Sequence, residues 1–395
     1  MEEAVIVSGA RTPIGTFGGA LAEIPATQLG TLAIQEAMTR AGIDGSQVDE
    51  VLMGNVIQAG LGENPARKAG INAKVDVKAP SMTVNKVCGS GMKTIAMASQ
   101  AIRLEEAEII VAGGFENMSG APYLLAKART GYRMGDGVLI DSMILDGLTC
   151  SLENCHMGVT AENVAKDFHV SREEMDEFAA LSQMKTAKAQ EAGRFKDEMF
   201  TVTIPQRRGD PIIVDKDEHP RADTTTERLA RLAPAFMGEG GSVTAGNSSG
   251  INDGGAATIV MSRSRAQRLG LKPMGVIKAF AAVGVEPRIM GIGPVPATRK
   301  VLQRAGLDLK DIDLIEVNEA FAAQSVAVAK ELGLDMDRVN VNGGAIALGH
   351  PIGMSGTRIV LTLLYEMERR NAHYGLAAMC CGGGMGVAMV LERPR

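Results

Sequence analysis

Short runs of Val, Ile and Leu alternate along the chain with longer stretches of helical periodicity, such as TQLGTLAIQEAMTRAG at 27–42 and PATRKVLQRAG at 296–306. Apolar runs of strand length separated by amphipathic helices are the signature of βαβ units, and this reading predicts mainly parallel sheets. The same pattern repeats at domain scale. AGIDGSQVDEVLMGN at 41–55 aligns without gaps on AGLDLKDIDLIEVNE at 305–319, and SGMKTIAMASQAI from Ser90 resembles SGTRIVLTLLYEM from Ser355. Each half then continues into an apolar strand and a glycine pair, EIIVAGG at 108–114 and LAAMCCGG at 376–383. Three matches in one order predict two similar α/β halves packed together.

Residues 120–248 fit neither half. They carry the helical pattern SREEMDEFAALSQMKTAKAQEAG, in which Ser171 and Glu174 make a capping box and Gly193 is a stop. A polar stretch follows, and inserted segments of this length in compact domains are usually lids or binding loops. The division expected is residues 1–119, completed by about 249–271, as the first half, 120–248 as a loop domain over the site, and 272–395 as the second half.

Composition narrows the class. A net charge of −5 with scattered Lys and Arg, and only 3% aromatic residues, offers neither a phosphate-tracking groove nor a base-stacking platform, so nucleic acid is excluded as a partner. No apolar run reaches the roughly 18 residues of a membrane helix. MEEAVIVSGARTP enters a strand-like run without a basic leader, and five cysteines do not make a disulfide framework. A cytoplasmic protein is the expectation.

The chemistry gathers in glycine-rich segments. In TVNKVCGSGMKT (83–94) the lysine does not directly follow the last glycine, so the stretch is no P-loop, and SGARTPIGTFGG lacks the dinucleotide spacing. As a nucleophile site it makes better sense. Cys88 at a strand-to-helix turn would have its thiolate favoured by free N–H groups and the helix dipole, with its own N–H available to an oxyanion and Gly89 and Gly91 admitting a substrate to the backbone. A buried structural cysteine is the competing reading.

VNGGAIALGHPIGMSG (341–356) places His350 in a Gly-His-Pro turn ahead of a helix beginning near Ser355, where it mirrors Cys88; it is either an activating base or a structural turn residue. AMCCGGGMGVAMV (378–390) is a strand with two cysteines, one toward a cavity and one toward packing, and glycines 382–384 let N–H groups face that cavity. In IEVNEAFAAQ (315–324) Asn318 is a natural helix N-cap at a strand end. SVTAGNSSGINDGGAA (242–257) is a returning loop, and CSLENCHMG (150–158) lacks a fourth ligand for zinc.

Together, NKVCGSG, NEAFA, GHPIGMSG and CCGGGMG, with SGARTPIGTFGG near the N-terminus, resemble the thiolase family across essentially the whole chain, and HMGVTAENVA points to the type that interconverts acetyl-CoA and acetoacetyl-CoA. The resemblance implies two βαβαβαββ halves stacked as a five-layered αβαβα core with a CoA-binding loop domain. It gives Cys88 the place of the acylated nucleophile, His350 that of its base, and Cys380 that of the acid/base for the α-proton. Asn318 would hold a water that forms one oxyanion hole with His350, and the N–H groups of Cys88 and Gly382 the other. Ser249 and Met157 would lie along the pantetheine arm, Arg221 near the nucleotide end, and His156 and Phe321 at the acyl pocket. Neither metal nor bound cofactor is implied, CoA being substrate and product, and a homotetramer is expected.

Two positions depart from the pattern: Met354 replaces a small residue and Cys381 an aliphatic one, Met354 either narrowing the pocket or altering the packing behind His350. A decarboxylating relative needs no second thiol, and a non-catalytic CoA-binding protein would not need Cys88, His350 and Cys380 together. A broader 3-ketoacyl-CoA thiolase shares the mechanism and stays open.

Overall fold

The computed structural model describes residues 2–394. The strands of its main sheet are β1 (Ala4–Arg11), β2 (Gly15–Thr16), β3 (Glu50–Gly54), β4 (Ser81–Val84), β5 (Ile109–Asn117), β6 (Asn252–Ser262), β7 (Gly275–Gly284), β8 (Leu314–Val317), β9 (Tyr374–Cys381) and β10 (Met385–Glu392). They form one sheet in the order β8-β9-β10-β7-β1-β6-β5-β3-β4, with β2 on β6. Two half-sheets are visible in it. They join at a short antiparallel contact in which Val5 pairs with Val276 and Ile6 with Gly275, so the first strand of each half lies at the seam.

The pairing is mixed rather than mainly parallel. Strands β3, β4 and β5 run parallel, as do β8 and β9, whereas β6 and β10 return antiparallel to their neighbours. Each half ends in a strand that enters from a turn or an insertion rather than a crossover helix, and such a strand pairs antiparallel. The alignment of 41–55 on 305–319 holds in three dimensions, since Glu50–Gly54 and Leu314–Val317 take equivalent places beside β5 and β9. The glycine pairs do not correspond. Gly113 and Gly114 lie within β5, opposite Met53 and Gly54, while Gly382 and Gly383 lie in the turn after β9.

Strand alternation divides the core into layers. One face of the first half-sheet, with Val51, Met53, Val111 and Ile259, is covered by α1 (Ala26–Ala41) and α2 (Pro65–Asn72). The opposite face, with Ile6, Leu52 and Ile110, and the facing side of the second half-sheet, with Ala377, Met379 and Met389, enclose α3 (Ser90–Arg103) and α8 (Ile352–Arg370). The outer face of the second half-sheet, with Ile315, Val317 and Ala378, is covered by α6 (Pro294–Ala305) and α7 (Ala322–Leu332). These are the five layers αβαβα. The two long helices of the insertion, α4 (Met157–Asp167) and α5 (Arg172–Glu191), pack Val164, Met175 and Ala179 into this last cluster, so the insertion shares its core with the second half. The Ser171–Glu174 capping box opens α5, and Gly193, at φ +68°, lies just past its end.

The central layer explains why α8 has almost no polar face: it is buried along nearly its whole length, and each Leu or Ile covered there contributes roughly 1.5–3 kcal/mol. It also explains Gly91 and Gly356. A Cβ at Gly91 would lie 2.5 Å from Thr357 Oγ1 and 2.9 Å from the Gly353 carbonyl oxygen; one at Gly356 would lie 2.4 Å from the Met92 nitrogen. Gly91 therefore serves the approach of two helix backbones, not of a substrate, and the serine–glycine pairs of the repeat are reciprocal halves of one crossing. We predict that Gly91→Ala destabilises the fold by about 1–3 kcal/mol through overpacking, read as a lower thermal midpoint; an unchanged midpoint would refute the crossing as a constraint.

Candidate active site

The helices α3 and α8 pack with their N-terminal turns at the same end of the molecule, and these turns carry Cys88 and His350. After β4, Asn85 Oδ1 accepts the Val87 N–H at 2.9 Å, and Ser90 Oγ accepts the Lys86 N–H at 2.8 Å while donating to the Val87 carbonyl at 2.6 Å. These bonds hold Val87 at φ +49°, a left-handed conformation that costs a β-branched residue about 1–3 kcal/mol. The strained turn brings Cys88 to the wall of a cavity of about 460 Å³.

His350 lines the same cavity. Ser355 Oγ donates its one hydrogen to the Pro351 carbonyl at 2.8 Å, so the 2.6 Å contact with His350 Nδ1 must have the imidazole as donor. This fixes the tautomer and leaves the Nε2 lone pair bare, with no protein partner. Burial first, and the Arg358 guanidinium second, push the imidazole down to about 3, so it is neutral at working pH. The helix α8 begins at Ile352, somewhat before the expected Ser355.

The electrostatics of Cys88 reverse the sequence-based expectation. Burial pushes its thiol up to about 11, against the lowering effect of the N–H groups of Gly382 and of Cys88 itself. The resting side chain is a thiol: desolvation outweighs the helix terminus, and proton removal is left to a base. Cys380 is held well above its ordinary value by burial and by Cys88 and Cys381. The pair divides as strand alternation requires. Cys381 packs in the central layer under Gly89, whose Cβ position is 2.7 Å from its sulfur, and Cys380 belongs to the opposite cluster. Gly382 lines the cavity, while Gly383 and Gly384 form the turn at φ +77° and +81°.

Asn318 is not the N-cap of α7. That helix starts four residues later, with Phe321 at its cap position and Gln324 Oε1 accepting the Ala320 and Phe321 N–H groups. The glutamine does the capping, which frees Asn318: fully buried, it leaves both its amide nitrogen and its amide oxygen without a protein partner. Such a group needs a water or a ligand.

Phe321 and Ser249 meet because 247–249 runs against 320–322: Ser249 N donates to the Ala320 carbonyl at 3.0 Å, and Ala322 N to the Asn247 carbonyl at 2.8 Å. His156, Met157, Ser249, Phe321 and the exposed Arg221 all line the cavity. His156 stacks on Phe236 at 4.8 Å, and Phe321 meets that ring edge-on at 6.0 Å. Met354 is fully buried among Ile14, Phe195 and Leu361, away from the cavity, so it changes the packing behind His350.

Sequence reasoning missed several residues. Phe17, Leu148, His219, Phe236 and Met290 also line the wall. Arg11 forms buried ion pairs with Glu198 at 2.7 Å and Asp217 at 2.7 Å, and Glu218 accepts the Thr16 N–H at 3.0 Å, tying the loop around Phe17 to the insertion. Glu116, pushed up to about 7 by burial, accepts N–H groups from Val56 at 3.0 Å, Ile57 at 3.1 Å and Gly353 at 2.9 Å beside the His350 turn. Asn252 accepts the His350 N–H at 2.9 Å and donates to the Gly15 carbonyl at 3.0 Å. A Cβ at Gly349, which has φ +105°, would sit 2.5 Å from the Asn252 side chain, so Asn252 and the glycine before His350 are mutually required. The loop composition around Asn252 carried no signal for this pairing.

The chain matches two family models, the thiolase N-terminal domain over residues 4–264 and the thiolase C-terminal domain over 271–393. It belongs to the thiolase family. Relatives include the acetyl-CoA acetyltransferases of Pseudomonas aeruginosa and Escherichia coli, each 56% identical with full coverage of both chains. A probable acetyl-CoA acyltransferase of Staphylococcus epidermidis is 51% identical, covering all of this chain and 99% of its own. The crystal structure of the Bacillus anthracis acetyl-CoA acetyltransferase superposes with a TM-score of 0.97 at 45% identity, covering 100% of this chain and 99% of that one.

Asn252 fixes the backbone of His350. We predict that Asn252→Ala lowers kcat by about tenfold to a hundredfold with little change in KM, and that Asn252→Asp, which keeps an acceptor for the His350 N–H, recovers part of the loss. An unchanged kcat in a folded Asn252→Ala protein would contradict this role.

Proposed function

We propose that the chain is an acetyl-CoA C-acetyltransferase that condenses two acetyl-CoA molecules to acetoacetyl-CoA and CoA, reversibly, through an acetyl-Cys88 intermediate. The observation that carries the reading is one cavity lined by Cys88, by His350, whose Nε2 has no protein partner, and by Gly382, whose N–H acts to lower the Cys88 thiol. The names of relatives more than half identical over their full length support it.

In the proposed first stage His350 Nε2 takes the Cys88 proton as sulfur attacks the thioester carbonyl. The N–H groups of Cys88 and Gly382 receive the developing oxyanion, and CoA leaves with the proton. In the second stage Cys380 passes its thiol proton to His350 Nε2 as it takes the α-proton of another acetyl-CoA. The enolate oxygen accepts from the Nε2–H that His350 then carries and from a water on Asn318, whose unpartnered amide is suited to that duty. The carbanion then attacks the acetyl group on Cys88, the C–S bond to Cys88 breaks, and the departing sulfur takes the proton from His350 to leave Cys88 a thiol. Water-poor surroundings strengthen each hydrogen bond to the charge that develops. A neutral base and a protonated nucleophile require the proton to move with the attack rather than before it.

In this reading Ser249 and Met157 line the pantetheine channel and Arg221 stands at its outer end. His156, stacked on Phe236, and Phe321 close the acyl end, which favours a two-carbon acyl group. Residues 120–248 act as the loop domain over the site. CoA enters as substrate and product, and the proposed steps use no further cofactor. No helix among the described residues is long and apolar enough to cross a membrane; we propose a cytoplasmic homotetramer serving fatty acid metabolism, and light scattering giving the mass of one chain would overturn that assembly. The acyltransferase name of the Staphylococcus epidermidis relative favours a second reading, a 3-ketoacyl-CoA thiolase of broader chain length.

CoA-dependent thiolysis by the purified protein across 3-ketoacyl-CoA chain lengths tests the proposal, with Cys88→Ala as control. Acetoacetyl-CoA should be cleaved far faster than longer substrates. A preference for longer chains would replace the acetyltransferase reading with the broader one, and undiminished thiolysis by Cys88→Ala would overturn both.

A further inference from the structure

Cys150 and Cys155, set aside above as zinc ligands, have no role in the proposed chemistry and do not line the cavity. The structure brings them together. Thr149–Cys150 and Cys155–His156 are the two strands of a small antiparallel hairpin in which Thr149 pairs with His156 and Cys150 pairs directly with Cys155. Directly opposed residues project to the same face, with Cα atoms about 4.5–5.5 Å apart, inside the window of about 4.4–6.8 Å that a disulfide spans. Both cysteines are free thiols. Cys150 is fully buried in the outer core of the second half and Cys155 packs, partly exposed, against the same cluster. The turn between them, Ser151 to Asn154, is exposed and gives a small oxidant access to Cys155.

We propose that Cys150 and Cys155 are a redox modification site, closing to a disulfide when the protein meets hydrogen peroxide and reopening with a dithiol reductant. The Cys155 thiolate attacks one peroxide oxygen, the O–O bond breaks, and the departing hydroxide takes a proton to leave as water, leaving a sulfenic acid on Cys155. The Cys150 sulfur then attacks the Cys155 sulfur. The S–O bond breaks, and the oxygen leaves as a second water carrying the Cys150 proton. Two thiols are thereby oxidised and one peroxide is reduced. Burial and the neighbouring Cys150 and Glu153 raise the Cys155 thiol above its ordinary value, so this is a slow response to sustained oxidant and not a catalytic step.

The hairpin is well placed to report its state. Leu148 immediately precedes it, His156 ends it and Met157 opens α4 directly after it, all three lining the cavity. The Met157 methyl lies 2.7 Å from where a side chain would begin at Gly382, the residue whose N–H acts to lower the Cys88 thiol. Drawing the Cys150 and Cys155 Cβ atoms into disulfide range, about 3.5–4.5 Å, shifts the strands that carry this wall. The coupling to the pocket rests on the acyl-transfer reading above; the disulfide itself does not.

The test uses the full-length protein. Preincubation with acetyl-CoA masks Cys88 during exposure to hydrogen peroxide, and remaining thiols are then alkylated. Cleavage after Glu153, which lies between the two cysteines, separates Cys150 from Cys155. The expected result is two fragments held together without reductant and released by dithiothreitol, with no linkage in Cys155→Ser. Fragments that separate without reductant, with both cysteines alkylated or with Cys155 carried on to a sulfinic acid, would overturn the site. The oxidised protein, after its acyl group has been removed by CoA, should show a several-fold change in kcat/KM for acetoacetyl-CoA that dithiothreitol reverses and Cys155→Ser lacks. A linked but kinetically unchanged enzyme would overturn the coupling, while absence of thiolysis in the reduced protein would fail the acyl-transfer reading and leave the mapped disulfide standing.

Discussion

The close crossing of α3 and α8 governs the rest of the molecule. Two helices from different halves pack at glycine distance, Gly91 against Gly353 and Thr357 and Gly356 against Met92, inside a layer closed by a sheet on each side. Because the crossing lies near both N-termini, the turns preceding the helices emerge side by side. One delivers Cys88 and the other His350. A site assembled this way depends on the relative position of two cores, and that position is fixed by backbone contacts rather than by flexible side chains.

Burial then sets the chemistry. The same dry interior pushes the Cys88 and Cys380 thiols up and the His350 imidazole down, so all three are neutral at rest. In the proposed reaction charge appears only transiently, and the N–H groups of Cys88 and Gly382, which act to lower the Cys88 thiol, and the unpartnered Asn318 amide are already in place. Preformed dipoles of this kind stabilise developing charge without reorganising. Outside the proposed reacting groups, Asn252 and Ser355 hold the histidine at its backbone nitrogen and its ring, one from each half.

Much of this was readable from residue order. Alternating βα periodicity and the internal repeat gave the two halves, because local hydrophobic period and helix stops are encoded within short windows. The glycine-rich turns marked Cys88, His350 and Gly382, because closely approaching backbone excludes side chains. What could not be read depends on non-local pairing. Strand direction in β6 and β10 follows from how the chain returns, the glycine pairs were matched by letter rather than by register, and Asn318 looked like a cap because Gln324, the group that caps, lies further along. The thiol of Cys88 was misjudged because a helix terminus is visible in sequence and desolvation is not. The pairing of Asn252 with His350 spans 98 positions and left no local trace.

The central claim is that two thiols divide the work, Cys88 carrying the acyl group and Cys380 handling the α-proton. It is tested most directly by incubating Cys380→Ala with acetyl-CoA in deuterium oxide and measuring the protein mass and the isotope content of the acetyl-CoA. The account predicts an acetyl adduct on Cys88 comparable to the parent protein's and no deuterium in the acetyl methyl group. Deuterium uptake at the parent rate, or an enzyme that cannot be acetylated without Cys380, would contradict it.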